Sequence, residues 1–304
     1  MSTPQASSLN WQVYLRLVAV AALWGGTFIA GRIAAPELPH FTLAALRFWV
    51  AAAVLTPLLW LTEGGWPRLQ AKHYGYSLLL AAFGLVIYNL LFLGALERIP
   101  AGRTALVVAL NPILTALAMA LLFHERLAVS RWAGIVLALT GVCTVLSKGD
   151  PTLVLQRVGL GETLMLGGAV CWAIYSIVGR LALASDAAPS PLAMTTVTTV
   201  WGALLLSLGM PFEWSQWQLS QVSFGGALSI LYLGAGGTAL AFVWYAEGLR
   251  RLGPARTAVF NNLVPVFGVF FGTLLLGETL YVSMIIGGLI ALAGVSLANW
   301  SPQR

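Results

Sequence analysis

The chain has 304 residues, 59% of them hydrophobic and 9% charged, with a formal net charge of +6. A soluble domain carries about 25% charged residues, so these are too few to coat a water-facing surface and the apolar ones are enough to face lipid. In such a chain the positive balance records which loops stay in the cytoplasm and is not a nucleic-acid signature.

The opening stretch, "MSTPQASSLNWQVYLR", is polar and lacks the basic-then-apolar order of a cleaved signal. A helix needs about 20 mainly apolar residues to cross a bilayer. Apolar runs predict ten crossings, five at 14–34, 41–61, 74–96, 104–123 and 131–147, and five at 161–183, 191–211, 223–248, 256–276 and 279–299. The separators, among them "APELPH", "ERIPAG" and "RRLGPA", set Pro or Gly beside a charge, where helices stop. No separator is long enough to hold a soluble domain. With the N-terminus inside, the cytoplasmic side holds ten basic residues (Arg16, Arg68, Lys72, Arg126, Arg131, Arg180, Arg250, Arg251, Arg256 and Arg304). The outside holds six, namely Arg32, Arg47, Arg98, Arg103, Lys148 and Arg157. This bias predicts that both termini are cytoplasmic.

The fourth and ninth runs are written alike. "RTALVVALNPILTALAMALLFHE" (Arg103–Glu125) and "RTAVFNNLVPVFGVFFGTLLLGE" (Arg256–Glu278) lie 153 residues apart and share Arg, Thr, Ala, Pro and Glu at equal offsets. "ALWGGTFIAGRIA" (Ala22–Ala34) matches "VCWAIYSIVGRLA" (Val170–Ala182) at an offset of 148, and Gly134 and Gly141 match Gly287 and Gly294 at 153. The unit is therefore five helices used twice, over residues 14–147 and 161–299. Five crossings leave the chain on the opposite side, so the second unit enters upside down. The expected fold is an all-α integral membrane protein, with ten transmembrane helices as two inverted five-helix repeats around a central cavity. Many secondary transporters have this build, and two nearly equivalent packings give alternating access. The plainer alternative is duplication as a way to make a large bundle.

Two five-helix repeats, a Trp–small segment early in each first helix, and a Pro-centred helix ending in Glu resemble the EamA-type drug/metabolite transporters over about residues 14–300. The resemblance implies ten helices, a cavity between the halves and export of small metabolites across a bacterial inner membrane. Members of the nearest branch export amino acids, aromatic ones among them. The first repeat departs from the family ending, reading "FHE" where the second reads "LGE".

Mid-span polar and aromatic residues are the candidates for substrate contact. Asn111 precedes Pro112, and Asn261 and Asn262 precede Pro265. Val264 is the repeat partner of Asn111, and residues three apart share a helical face, so Asn111 and Asn261 occupy corresponding faces. Amides are unfavourable in lipid and belong against protein or a cavity. Asn262 fits cavity lining and interhelical hydrogen bonding equally well. The prolines free carbonyls one turn earlier and add a flex point. Trp24 and Trp172 are repeat mates far from the interfaces, and Thr27 and Tyr175 follow three residues on. Tyr88 and Asn89 fall deep in the third span, with Trp244 and Tyr245 in the eighth. Aromatic walls suit an apolar ligand body, while hydroxyls and amides fix its polar end. Core packing is the alternative for each aromatic taken singly. Trp11, Trp60, Trp66, Trp132, Trp214, Trp217 and Trp300 fall near span ends, as interface belts do. Glu125 and Glu278 are expected to accept from the free N–H groups of the following helix. The glycine strips of the fifth and tenth spans should pack together, away from the cavity.

Cys143, Cys171 and the three histidines show no ligand spacing, so no metal or cofactor is expected. The phosphate-binding loop of ATPases is absent, and no Asp, Glu, Lys or His lies near the middle of a span. The expected function is a monomeric secondary transporter, not an enzyme, that exports small metabolites, with amino acids as the lead class. A lipophilic-cation drug exporter would want a buried carboxylate, organic phosphates a buried Lys or Arg cluster, and an embedded enzyme a His/Asp or metal constellation. A receptor or structural role is the reading without transport.

Overall fold

A computed structural model describes residues 5–123, 129–146, 158–183, 189–252, 257 and 260–299, and every regular element among them is helical. In chain order these are α1 (Gln5–Ala34), α2 (His40–Glu63) and α3 (Ala71–Arg98). Then come α4 (Ala101–Val108), α5 (Asn111–Phe123), α6 (Val129–Leu146), α7 (Leu160–Leu183) and α8 (Pro191–Ser207). The last three are α9 (residues 224–252), α10 (Leu263–Leu276) and α11 (Val282–Asn299).

Among the described residues, five helical stretches are long and apolar enough to cross a membrane: Trp11–Ala34, His40–Glu63, Ala71–Arg98, Leu160–Gly179 and Phe224–Tyr245. α8 and the helical turns after it, bent by 43°, make a sixth if they are one span. Shorter apolar helices fill Ala101–Thr115, Trp132–Val145, Phe260–Leu276 and Val282–Leu297. Large apolar side chains are turned outward in number, among them Leu61, Phe212, Phe224, Phe270, Leu274, Val282 and Leu289. A water-facing surface does not gather so many, whereas hydrocarbon accepts them at no cost.

Three local features follow from the sequence. First, the fourth predicted span is broken: α4 ends in a turn at Ala109–Leu110, and α5 restarts at Asn111. Pro112 has no N–H for the carbonyl four residues back. The ninth predicted span holds a similar irregularity, a 3₁₀ turn at Phe260–Asn262 with two residues between it and Pro265. Second, α3 and α9 each contain a π-helical stretch, Ala81–Ile87 and Tyr232–Leu240. Tyr88 N–H donates to Phe83 O and Ala241 N–H to Gly236 O, five residues back in both. Donors and acceptors are both 153 apart, the spacing of the sequence repeat. Such widened turns concentrate at functional sites. Third, α2 and α10 end at Gly64 (φ 79°) and Gly277 (φ 65°), a left-handed conformation that glycine adopts without strain.

Packing follows the repeat. α6 lies along α11 and α2 along α8. The first span of each half crosses to the other half: α1 packs on α9 and α10, while α7 packs on α3, α4 and α5. The expected glycine contact is present, since a Cβ on Gly294 would sit 2.7 Å from both Ala138 Cα and Gly134 O. Only glycine allows that approach. The pair does not stand clear of the cavity, however, because α11 gives Leu292 and Val295 to its wall.

Carboxylates tie helix starts together, since N-terminal N–H groups have no partner within their own helix. Glu213 accepts from Phe41 N (3.0 Å), Thr42 N (2.8 Å) and Thr42 Oγ1 (2.9 Å) at the start of α2. Glu278 accepts from Ala101 N (2.7 Å) and Gly102 N (3.0 Å). The helix it caps is thus α4 and not the following one, because α10 packs on α4 and its glycine turn delivers Glu278 there. Glu125 lies outside the described residues. Of the expected belt, Trp11, Trp60, Trp66, Trp132 and Trp214 are exposed, Trp217 packs on the core, and Trp300 is outside the described residues.

Candidate functional site

A cavity of about 150 Å³ opens where the two broken spans meet the first spans of both halves. α1 supplies Trp24, Thr27 and Phe28, and α7 supplies Trp172. α3 adds Tyr88 and Phe92, immediately after its π-helical turns, and α9 adds Gly237 and Phe242. Val108, Ala109 and Asn111 come from the break before Pro112. Asn261, Asn262, Val264 and Pro265 come from the matching region of the ninth span. Helix breaks are tolerated at membrane depth where they line a cavity or are buried in protein.

The aromatic wall is continuous. Trp172 lies 5.4 Å from Tyr88, Tyr88 6.0 Å from Phe92, and Phe92 5.4 Å from Phe28, ring centre to ring centre. On the other side Trp24 packs edge-on against Phe242 at 5.8 Å. Its indole N–H donates to Gly237 O (3.1 Å), a carbonyl of the π-helical stretch. Thr27 Oγ1 donates to Trp24 O (2.6 Å), so the hydroxyl serves its own helix.

Of the ten residues picked out by sequence, Trp24, Thr27, Tyr88, Asn111, Trp172 and Asn261 line this cavity. Four stand behind it. Tyr175 packs on Trp172 at 5.2 Å and covers Gly84. Tyr245 packs on Trp24 at 5.2 Å and its hydroxyl accepts from Asn261 Nδ2 (3.3 Å). Trp244 is half-buried and outside the lining, two residues past Phe242 and so on the opposite side of the helix. Asn89 is buried and holds Arg47. Asn262 lines the cavity and also donates to Ser296 Oγ (3.2 Å) of α11, so both of its expected uses occur together.

Arg47 is the residue that the sequence reading placed elsewhere, with the outer-end charges. It lines the cavity from α2. Its Nη1 donates to Asn89 Oδ1 (2.8 Å) and its Nε to Thr238 Oγ1 (3.2 Å). The signal was present in the sequence: Arg47 is the seventh residue of the run 41–61, between "FTLAAL" and "FWVAAAV". A charge that far into an apolar run is a functional-site marker.

Among the described residues no group of three or more His, Cys, Asp or Glu could hold a metal ion. The comparisons with known proteins agree with the geometry. The pattern of the EamA-like transporter family matches residues 11–147 and, a second time, 159–300. The chain belongs to the EamA-like transporter family. It is a multi-pass membrane protein of transporter type. Proteins of similar sequence match it over most of its length. The Bacillus subtilis protein named "Uncharacterized transporter YyaM" is 28% identical over 288 residues, covering 94% of this chain and 93% of that one. A Salmonella typhimurium protein named "Probable amino-acid metabolite efflux pump" is 28% identical, covering 91% of each chain. The Escherichia coli "Uncharacterized inner membrane transporter YedA" is 28% identical over 87% of this chain and 83% of its own. A crystal structure superposes with a TM-score of 0.65 over 94% of this chain and 97% of that one, at 22% identity, which speaks to the fold.

Proposed function

We propose that this EamA protein is a secondary transporter exporting small metabolites, amino acids foremost and aromatic ones among them, across a bacterial inner membrane by alternating access. The reading takes residues 14–147 and 161–299 as inverted five-helix repeats, ten helices in all, with both termini cytoplasmic. One observation carries it: the cavity is walled by both halves, with a Pro-interrupted span from each reaching it. Discontinuous helices at a repeat interface are where secondary transporters hold their substrates. The reciprocal packing of α1 on α9 and α7 on α3, each over a π-helical turn, supports a two-fold relation between the halves. The aromatic chain from Trp172 to Phe28 fits an apolar ligand body, and the amides of Asn111, Asn261 and Asn262 fit its polar end. The relative named as an amino-acid metabolite efflux pump supports the substrate class. A lipophilic cation fits less well, because Arg47 lines the cavity and no Asp or Glu does among the described residues.

Counterflow in proteoliposomes tests the reading, with each of the twenty amino acids competing against labelled L-phenylalanine. Competition by apolar and aromatic amino acids is expected. If none competes while sugars or cations do, the amino-acid assignment falls.

A further inference from the structure

We infer that Arg47 is the carboxylate-binding residue of this cavity, and that the transported molecule carries one negative charge next to a hydrogen-bond donor. The inference rests on the cavity being the transport site. The guanidinium is held by two neutral groups, each already committed elsewhere. Asn89 Nδ2 donates to Leu85 O (2.8 Å), which turns its carbonyl oxygen to Arg47. Thr238 spends its proton on Leu233 O (2.8 Å), which leaves a lone pair for Arg47 Nε. One support comes from α3 and the other from the π-helical stretch of α9, so the guanidinium is clasped between the two halves.

These bonds use two of the five N–H groups of an arginine and none of its charge. Among the described residues no carboxylate pairs with Arg47, and none lines the cavity. Arg47 stands in a cavity of mostly apolar lining, where the Phe48 ring, centred 5.3 Å from its Cζ, offers only a weak attraction. A guanidinium there is costly unless a negative charge pairs with it. A ligand carboxylate supplies that pair through the planar, two-pronged geometry arginine offers. One guanidinium balances one negative charge, and a phosphate dianion would leave the second unpaired. The same cavity holds a complementary defect: Asn111 is 6% exposed and its Oδ1 has no hydrogen-bond partner. A buried acceptor of this kind is satisfied by a donor on the ligand, such as an ammonium group. Cation, orphan acceptor and aromatic wall together match a zwitterionic amino acid with an apolar side chain.

The test measures thermal stabilisation of the full-length protein in detergent by L-phenylalanine, 3-phenylpropionate and L-phenylalaninamide. The two carboxylates should bind at least about tenfold more tightly than the amide. Arg47→Gln should remove that preference, and Thr238→Val should weaken it. Equal binding of acid and amide, no binding of either acid, or a preference retained in Arg47→Gln overturns the assignment. If Arg47→Gln does not elute as a monodisperse species, the acid–amide comparison on the wild-type protein decides alone. Counterflow separates this from the export reading. An acid preference without counterflow sinks export and leaves Arg47 as the carboxylate contact of a cavity that binds without transporting. Counterflow inhibited equally by phenylalanine and its amide does the reverse.

Discussion

The two π-helical turns of this EamA protein occupy equivalent places and are filled differently. On α9, Gly237 faces the methyl group of Thr27, and its carbonyl takes the indole proton of Trp24. On α3, Gly84 faces the ring of Tyr175, and Trp172 beside it joins an aromatic chain. Thr27 and Tyr175 are 148 residues apart, and Gly84 and Gly237 are 153 apart, so these are the same contacts drawn twice. The backbone relation is kept because a glycine in the widened turn lets the opposing helix approach. The side chain that fills the space is free to differ, and one half acquired a hydrogen-bonded wall and the other an aromatic one. The charge is one-sided too: α2 brings Arg47, whereas α8 holds no charged residue.

The ties on the two first spans sharpen this contrast. α7 is held to α4 by Glu162 and Arg103 (2.9 Å), with side chains 3% and 18% exposed. α1 is held to α9 by Arg16 and Glu247, where the arginine is 41% exposed. Burial decides which tie matters more. Glu162→Leu should cost about 3 kcal/mol, since it removes the buried carboxylate of this ion pair. Arg16→Leu should cost less than about 1 kcal/mol. Melting temperatures in detergent would show the ranking, and a reversed order would break the comparison.

Gly84→Ala pushes a methyl into the Tyr175 ring and should cost about 1–3 kcal/mol. Tyr175→Ala should restore the loss and Thr27→Ala should not, as a double-mutant cycle would reveal. Non-specific recovery by both would deny that the contacts are local.

Trp172→Ala should lower flux about tenfold in proteoliposomes, with membrane insertion unchanged. A flux equal to that of the wild type would remove Trp172 from the site. The smallest difference is expected between two phenylalanine substitutions. Trp24→Phe loses the bond to Gly237 O and should cost about 0.6–1.7 kcal/mol. Trp172→Phe, with no such bond among the described residues, should cost less, and equal shifts in melting temperature would erase the distinction.

The sequence by itself determined the membrane class, the family pattern written twice, the packing of α6 on α11 and half of the aromatic wall, namely Trp24, Tyr88 and Trp172 but not Phe28, Phe92 or Phe242. These are properties of apolar run length, of repeat spacing and of glycine periodicity, and all of them are local or self-similar along the chain. The tertiary structure decided which polar groups face the cavity and which stand behind it. Asn89 and Arg47 lie 42 residues apart, and Thr238 a further 191 from Arg47, yet one guanidinium joins all three. Glu278 likewise caps a helix 177 residues away instead of its neighbour. The partner of a buried polar group is chosen by helix crossing and by the rotation of each face, and neither is written in the spacing along a single helix.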